Sequence, residues 1–211
     1  MLPPTIPIFP LPNAVLFPNV FLPLHIFEPR YREMVADALA GDRIIGMVLL
    51  KPGFEASYEG RPPVYPIGCA GVVTHSEALP DGRFNIVLRG IEKFRIIGED
   101  ESKAYRLAQV DPIPEAVSED DRPQLRGDRH RLGGLLVGGI ERGGAEPRFP
   151  PAVADEDLVN ALAQYLALEP LERQALLERE GIQARCTALI ELLEIKTIGA
   201  RGAKWKSGSV H

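Results

Sequence analysis

Over the first 113 positions, short apolar runs are closed off by proline, glycine or Asp-Gly, which is the pattern of strands rather than helices. The runs fall at Thr5–Phe9, Val20–Ile26, Arg43–Leu50, Ile67–His75, Phe84–Arg89, Phe94–Ile97 and Tyr105–Val110. Arg43–Leu50 is too short and too β-branched to favour a helix. Within Phe84–Arg89, Phe84, Ile86 and Leu88 alternate with Asn85, Val87 and Arg89, and Asp81-Gly82 before them supplies the positive φ of a tight turn. The pattern therefore predicts a hairpin inside a set of six or seven strands. Short strands with turn-rich gaps favour a small barrel or a sandwich.

A helix interrupts this half. Proline stands at its first position in Glu28-Pro29-Arg30, Tyr31, Met34, Val35, Ala38 and Leu39 recur at helical spacing, and Gly41 ends it. Beyond Pro114 the period becomes helical. Asp155–Leu168 carries Leu158, Val159, Leu162, Tyr165 and Leu166 on one face. Pro170–Glu180 opens with proline and stops at Gly181, and Gly181–Ile195 lines up Ile182, Cys186, Leu189, Ile190 and Leu193. A weaker helix is predicted over Asp120–Glu141, whose five glycines each cost up to ~1 kcal/mol relative to alanine. Gly143–Pro151 reads as a loop.

Composition adds limits. A chain of 211 residues buries about 70% of its unfolded surface, so it needs neither disulfide nor metal to fold. The net charge of −5 argues against a general polyanion binder. Two distant cysteines, Cys69 and Cys186, make no disulfide framework, and the start MLPPTIPIFP lacks the basic n-region of a signal peptide. No run reaches the ~18 apolar residues of a membrane span. The expectation is a cytoplasmic chain.

Sites for covalent chemistry are hard to assemble. Phosphate-loop, dinucleotide, Gly-x-Ser-x-Gly and His-Glu-x-x-His motifs are all missing from the sequence. The six serines fall in predicted loops, strand ends or the tail, without an activating partner nearby. Cys69 and His75 would share a strand face about 20 Å apart at ~3.3 Å per residue, too far to pair. Histidines 25, 75, 130 and 211 have no ligand-spaced companions, so no metal and no cofactor are expected. Arg126-Gly127-Asp128 is an RGD tripeptide read as coincidence. Lys196, Arg201, Lys204 and Lys206 surround Trp205 in a basic tail that could touch a phosphate backbone and stack a base, but the preferred reading is a disordered, soluble terminus.

Several segments, taken in order, resemble the opening of the Lon protease N-terminal domain. They are Ile6-Pro7-Ile8-Phe9-Pro10-Leu11, Val15-Leu16-Phe17-Pro18 and Leu22-Pro23-Leu24-His25-Ile26-Phe27-Glu28-Pro29-Arg30-Tyr31. Gly46-Met47-Val48-Leu49, Tyr65-Pro66-Ile67-Gly68-Cys69-Ala70-Gly71, the stretch 81–90 and Phe94-Arg95-Ile96 continue the match, and Leu171–Glu178 resembles the family's helical part. The resemblance implies an α+β fold, a PUA-like β-barrel followed by a helical bundle. The expected division is a barrel with its inserted helix over 1–113, a bundle over 114–198 and a basic, disordered tail over 199–211.

The resemblance also implies recognition of unfolded or tagged proteins, in company with a protease or as an adaptor to one, and no enzyme activity of the chain's own. An apolar groove or an open strand edge would serve an unfolded client. The candidates for contact are His25, Phe27, Arg30, Tyr31, Tyr65, Arg89 and Arg95. The competing expectation is a nucleic-acid binder, using the barrel and the basic tail.

Overall fold

The computed structural model describes residues 2–54, 60–138 and 153–207. Among them are six strands and five helices, an α+β arrangement. The chain divides into two compact units, one of residues 1–115 with 160–178, the other of 116–159 with 179–211.

The strands of the first unit are β1 (Thr5–Leu11), β2 (Phe21–Ile26), β3 (Ile44–Leu49), β4 (Ile67–Ala78), β5 (Phe84–Asp100) and β6 (Arg106–Ile113). Their order is β2-β5-β4-β3-β1-β6, and a further β5–β6 pairing joins the sheet back on itself. Strands β5, β4, β3, β1 and β6 thus form a closed hydrogen-bonded ladder, with β2 added at one side. Only the β1–β3 pairing is parallel.

The two predicted strands at 84–89 and 94–97 are one strand of 17 residues. Sequence reading breaks them at Gly90, but the backbone bends there instead of ending. The first half of β5 pairs with β2 and the second half with β6, while β4 follows it across the bend with a register shift at Ala70/Gly71. Gly90 is required because the turn before β2 presses on it. A Cβ there would lie 2.1 Å from the Phe17 carbonyl oxygen.

Inside the ladder, Ile6, Ile8, Val48, Ala70, Phe94 and Ala108 form a buried cluster. Phe94 takes the space that side chains at Gly46 and Gly68 would fill, at 2.8 Å from either hypothetical Cβ. Pro7 is tolerated in β1 for a geometric reason. Val110 N–H donates to Pro4 O, which sets the even positions of β1 as the ones bonded to β6 and leaves Pro7 turned away from that ladder.

Helix α1 runs Pro29–Ala40, from proline at its start to Gly41 at its cap, with Tyr31, Met34, Val35 and Ala38 buried as their spacing predicts. The predicted hairpin is present and longer than expected, and Gly82 takes φ 81° in its turn. Residues 160–178 are tied to strand-side backbone by amide side chains. Gln164 Oε1 accepts from Phe17 N–H at 3.2 Å, and buried Gln174 donates to Ile67 O at 3.0 Å. Helix α4 (Pro170–Leu177) carries a reciprocal capping box between Glu169 and Glu172.

In the second unit, α2 (Arg122–Gly138) packs on α5 (Gly181–Ser207), with Arg131 paired to Glu194 at 2.6 Å and Gln183 donating to Asp128 at 2.8 Å. Arg129 reaches Asp155, the first residue of α3 (Asp155–Tyr165), at 2.7 Å. Ile182, Cys186, Leu189 and Ile190 are buried, as their stripe predicts. The RGD tripeptide lies inside α2, not in a loop.

Helix α5 continues through 199–207, where sequence reading expects a disordered tail. Once a helix is nucleated each further residue adds a bond, which favours carrying the helix on through Ala-Lys-Trp-Lys. The loop predicted at Gly143–Pro151 lies outside the described residues.

Candidate functional site

The candidates from sequence separate into two places and two outliers. His25 and Phe27 belong to the outer face of β2. The alternation of Phe21-Leu22-Pro23-Leu24-His25-Ile26-Phe27 turns the odd positions outward, leaving Phe21 49% and Phe27 60% exposed. Across the ladder these positions meet Arg89, Val87 and Asn85 of β5, opposite Phe21, Pro23 and His25 respectively. Arg89 is exposed beside Phe21 and has no ion pair among the described residues.

The His25 ring is fixed. Its Nδ1 lies 2.8 Å from Asn85 Oδ1 and its Nε2 3.3 Å from Arg83 Nη1. A proton on Nδ1 satisfies both contacts, donating to Asn85 and accepting from Arg83. Phe27 stacks on this ring at 6.3 Å between centroids. Arg83 is itself held by Asp81 at 2.5 Å, and that contact keeps the Asp81 carboxyl below its ordinary range. The face therefore presents two exposed phenylalanines and an arginine on a stiff support.

Sequence reading misses Phe21 and Tyr165 here. Phe21 was legible, since it shares the parity of Phe27. Helical spacing places Tyr165 on the apolar stripe of α3, but it is 65% exposed, and its hydroxyl donates to the Phe21 carbonyl at 3.0 Å. A phenol carries a donor that must find a partner, and the open edge of β2 supplies one.

Arg30 and Tyr31 belong to a second place, a pocket of about 200 Å³. Tyr31 is buried, with its ring 4.4 Å from that of Phe9, and the Arg30 guanidinium lies over it at 4.6 Å. Arg61, Arg106, Tyr105, Gly60 and Ala104 are the other described residues of the lining, which holds three arginines and no acidic residue among the described residues. The acids stand behind them. Glu28 holds Arg30 at 3.1 Å, and Glu99 grips Arg106 at 2.5 Å and Arg61 at 3.9 Å. Arg106 also donates to Pro62 O at 2.7 Å, while Arg61 reaches Asp100 O and Lys103 O at 3.4 Å each.

Tyr105 is the wall between this pocket and another of about 180 Å³, lined by Thr5, Ile6, Asp37, Asp42 and Ile44 among others. Its hydroxyl donates to Asp37 at 2.7 Å. That bond, and next the one from Lys103, hold the Asp37 carboxyl below its ordinary range. Burial, and then the Asp37 carboxylate, push the Tyr105 phenol upward. Sequence offered no signal for this pocket, because Arg30, Arg61 and Arg106 stand far apart in the chain.

Tyr65 and Arg95 join neither place. Tyr65 is half-buried ahead of β4, where its N–H donates to Leu49 O, and Arg95 is exposed on β5 between Ile67 and Asp111. Cys69 is buried in β4 while His75 of the same strand is exposed. No group of three histidine, cysteine or acidic residues converges among the described residues, and no described helix is long and apolar enough to cross a membrane.

Comparison with known proteins gives one consistent result. Residues 5–194 match the family described as the ATP-dependent protease La (LON) substrate-binding domain. The chain is 27% identical to Lon protease 1 of Herpetosiphon aurantiacus over 91% of its own length, and 28% identical to the Lon protease of Dictyoglomus thermophilum over 92%. It spans about a quarter of those relatives, 24% and 26% respectively. Among solved structures it resembles a Lon N-terminal domain protein from Xanthomonas campestris, with TM-score 0.57 and 20% identity, covering 89% of this chain and 97% of that one. The N-terminal domain of the Mycobacterium avium complex Lon protease gives 0.62 at 16% identity, over 90% and 98%.

Proposed function

The chain belongs to the Lon substrate-binding domain family, and on that premise we propose that it is a recognition module that takes unfolded or tagged protein clients without processing them itself. The observation that carries this reading is the family match across residues 5–194. Its proposed contact surface is the outer face of β2, where Phe21, Phe27 and Tyr165 are exposed beside His25 and Arg89. Tyrosine and arginine are enriched among the residues that dominate interface energetics, and apolar side chains exposed together, rather than singly, mark interaction surfaces. The closed five-strand ladder supports reading the first unit as a PUA-like barrel.

An adaptor that hands clients to a protease is the role such a module would fill in a cytoplasm. Nucleic acid is the weaker reading, given a net charge of −5 and a β2 face whose exposed groups are mainly aromatic.

The test is fluorescence anisotropy of a dye-labelled, permanently unfolded protein, with labelled single-stranded RNA in parallel, at 50 and 500 mM salt on the order of the range that screens surface charge. The expected result is saturable client binding that survives salt. Tight RNA binding that collapses with salt, with no client binding, would overturn the proposal.

A further inference from the structure

The β4–β5 hairpin has two sides, and they end differently. On one side β2 is added to β5. On the other, β3 follows β4 only as far as Val72, and the last backbone bond there runs from Val73 N–H to Arg43 O at 2.8 Å. Arg43 also closes the Val73 carbonyl, donating its Nε–H at 3.1 Å. Past the register shift between Val73 and His75, β4 continues paired to β5 as far as Ala78. No strand lies on the other side of this stretch among the described residues.

Hydrogen-bond parity decides which backbone groups face this gap. Leu79 N–H donates to Arg83 O at 2.8 Å, so the positions bonded across the ladder are Glu77 with Asn85 and His75 with Val87. The other side of β5 gives the same answer, because β2 bonds to its even positions and leaves the odd ones to β4. The N–H and C=O of Ser76 and Ala78 therefore turn to the open side, and they meet no partner among the described residues. Both side chains are small, and the first proline after them is Pro80, in the turn. This edge lacks the interruptions of the β2 edge, where Pro23 has no N–H and the Phe21 carbonyl is taken by Tyr165.

We infer that the open edge of β4 takes an extended protein segment as an added antiparallel strand, with a lysine or arginine of that segment opposite Glu77. The inference rests on the recognition reading in naming a client as the carrier, and it supplies that reading with a binding mode. Glu77 selects the occupant. It shares the outer face with Asn85 and His25, and Asn85 Nδ2 donates to its Oε2 at 2.9 Å, which holds the carboxylate in place. Glu77 is exposed and meets no cation among the described residues. A residue opposite Glu77 on an added strand forms the closer, non-hydrogen-bonded kind of pair, at a Cα separation of about 4.5 Å. Opposite charges stabilise such a pair and like charges destabilise it. The same rule disfavours a second copy of this chain. The two-fold register that joins Ser76 to Ala78 of the other copy sets Glu77 against Glu77. A client strand would lie in line with β3 and become the fourth strand of the face that carries His25, so its outward side chains join that face.

The experiment titrates acetyl-Thr-Val-Lys-Val-Thr-amide into the whole chain and follows the Ser76 and Ala78 amide signals by NMR. Comparison peptides replace lysine by glutamate, or carry one N-methyl group on either valine or on the lysine. With lysine opposite Glu77, the two valines stand opposite Ser76 and Ala78 and donate to them, while the lysine N–H points to solvent. The expected result is saturable shifts, at least about threefold weaker for the glutamate peptide and for each N-methyl valine, and changed by less than about twofold for N-methyl lysine. Glu77→Gln, whose amide oxygen still accepts from Asn85, should erase the preference for lysine and keep the N-methyl pattern. Equal loss for all three N-methyl peptides, or loss for none, would overturn strand addition. A lysine preference that survives Glu77→Gln would overturn the role of that carboxylate. A chain that dimerises without peptide and protects the Ser76 and Ala78 amides in the dimer would overturn the inference in favour of self-pairing. The peptides report on the edge without any unfolded client. Failure of client binding with the N-methyl pattern intact would therefore sink the recognition reading alone.

Discussion

Truncating Phe27 to alanine separates a binding role from a packing role, because the ring is largely outside the fold already. Fully burying a phenylalanine is worth about 1.5–3 kcal/mol. With 60% of the residue exposed, about 1–2 kcal/mol of that remains to be gained when a client covers the ring. Each 1.4 kcal/mol is tenfold in affinity, so Phe27→Ala should raise Kd for an unfolded client by about 5- to 30-fold. The part already covered limits the folding loss to about 1 kcal/mol, a melting shift of roughly 2–4 °C for a chain of this size. Phe21→Ala, at 49% exposure, should behave similarly with a somewhat smaller binding loss. Arg95→Gln, away from this face, should change neither quantity. The assay is client anisotropy at high salt, with a thermal melt on each variant. A Kd for Phe27→Ala within about twofold of wild type, with an unchanged melt, would refute the assignment of this face.

Gly90→Ala should destabilise by about 3 kcal/mol or more, since the added methyl meets backbone at 2.1 Å and no rotamer change relieves it. A melt lowered by less than roughly 4 °C would count against the close approach. Tyr105→Phe removes the principal group that holds the Asp37 carboxyl low. A depressed carboxylate stabilises above its ordinary value and loses that contribution as pH falls through its folded value. The variant should therefore melt below wild type at pH 7, by roughly 0.5–1 kcal/mol after solvent screening. The gap should close as pH falls well below the ordinary value of 3.8. A gap independent of pH would assign the loss to packing instead. Cys69 and Cys186 are both buried, and burial first, then Asp128 and Asp155, push the Cys186 thiol up to about 12. Both should resist a thiol reagent at pH 8 until the chain unfolds, and fast labelling of either in the native state would contradict the packing.

Local rules carried the parts of this fold that local chemistry decides. Pro29 and Gly41 bracket α1, and Asp81-Gly82 turns the β4–β5 hairpin, because a fixed φ and a positive φ are properties of those residues alone. The single long β5 was not legible, since what keeps residues 90–93 in a strand is the pairing with β4 on one side and with β2, then β6, on the other. Tyr165 was misplaced because a stripe of helical spacing treats tyrosine as simply apolar, whereas its hydroxyl is committed to Phe21 O. Of the candidate residues, the structure brings His25, Phe27 and Arg89 onto one face and Arg30 and Tyr31 to one pocket, and leaves Tyr65 and Arg95 apart. The pocket's other guanidiniums, Arg61 and Arg106, come from a loop and from β6, and no spacing rule connects residues so far apart.

The position of β2 at the side of the sheet raises the question of whether a client could simply add a strand to it. Gly90 N–H donates to Val20 O at 2.9 Å, and the register of β2 on β5 then makes Leu22, Leu24 and Ile26 the hydrogen-bonded partners. The backbone groups of Phe21, Pro23 and His25 are the ones turned to the open edge. Pro23 has no N–H to offer, and the Phe21 carbonyl already accepts from Tyr165. An added strand would find an interrupted row of partners, which is how natural sheets discourage edge pairing. On the proposed reading, a client would contact this face through side chains, covering Phe21, Phe27 and Tyr165 from above rather than extending the edge. Such contacts depend on apolar and aromatic content more than on residue order, which is what a module for unfolded clients requires.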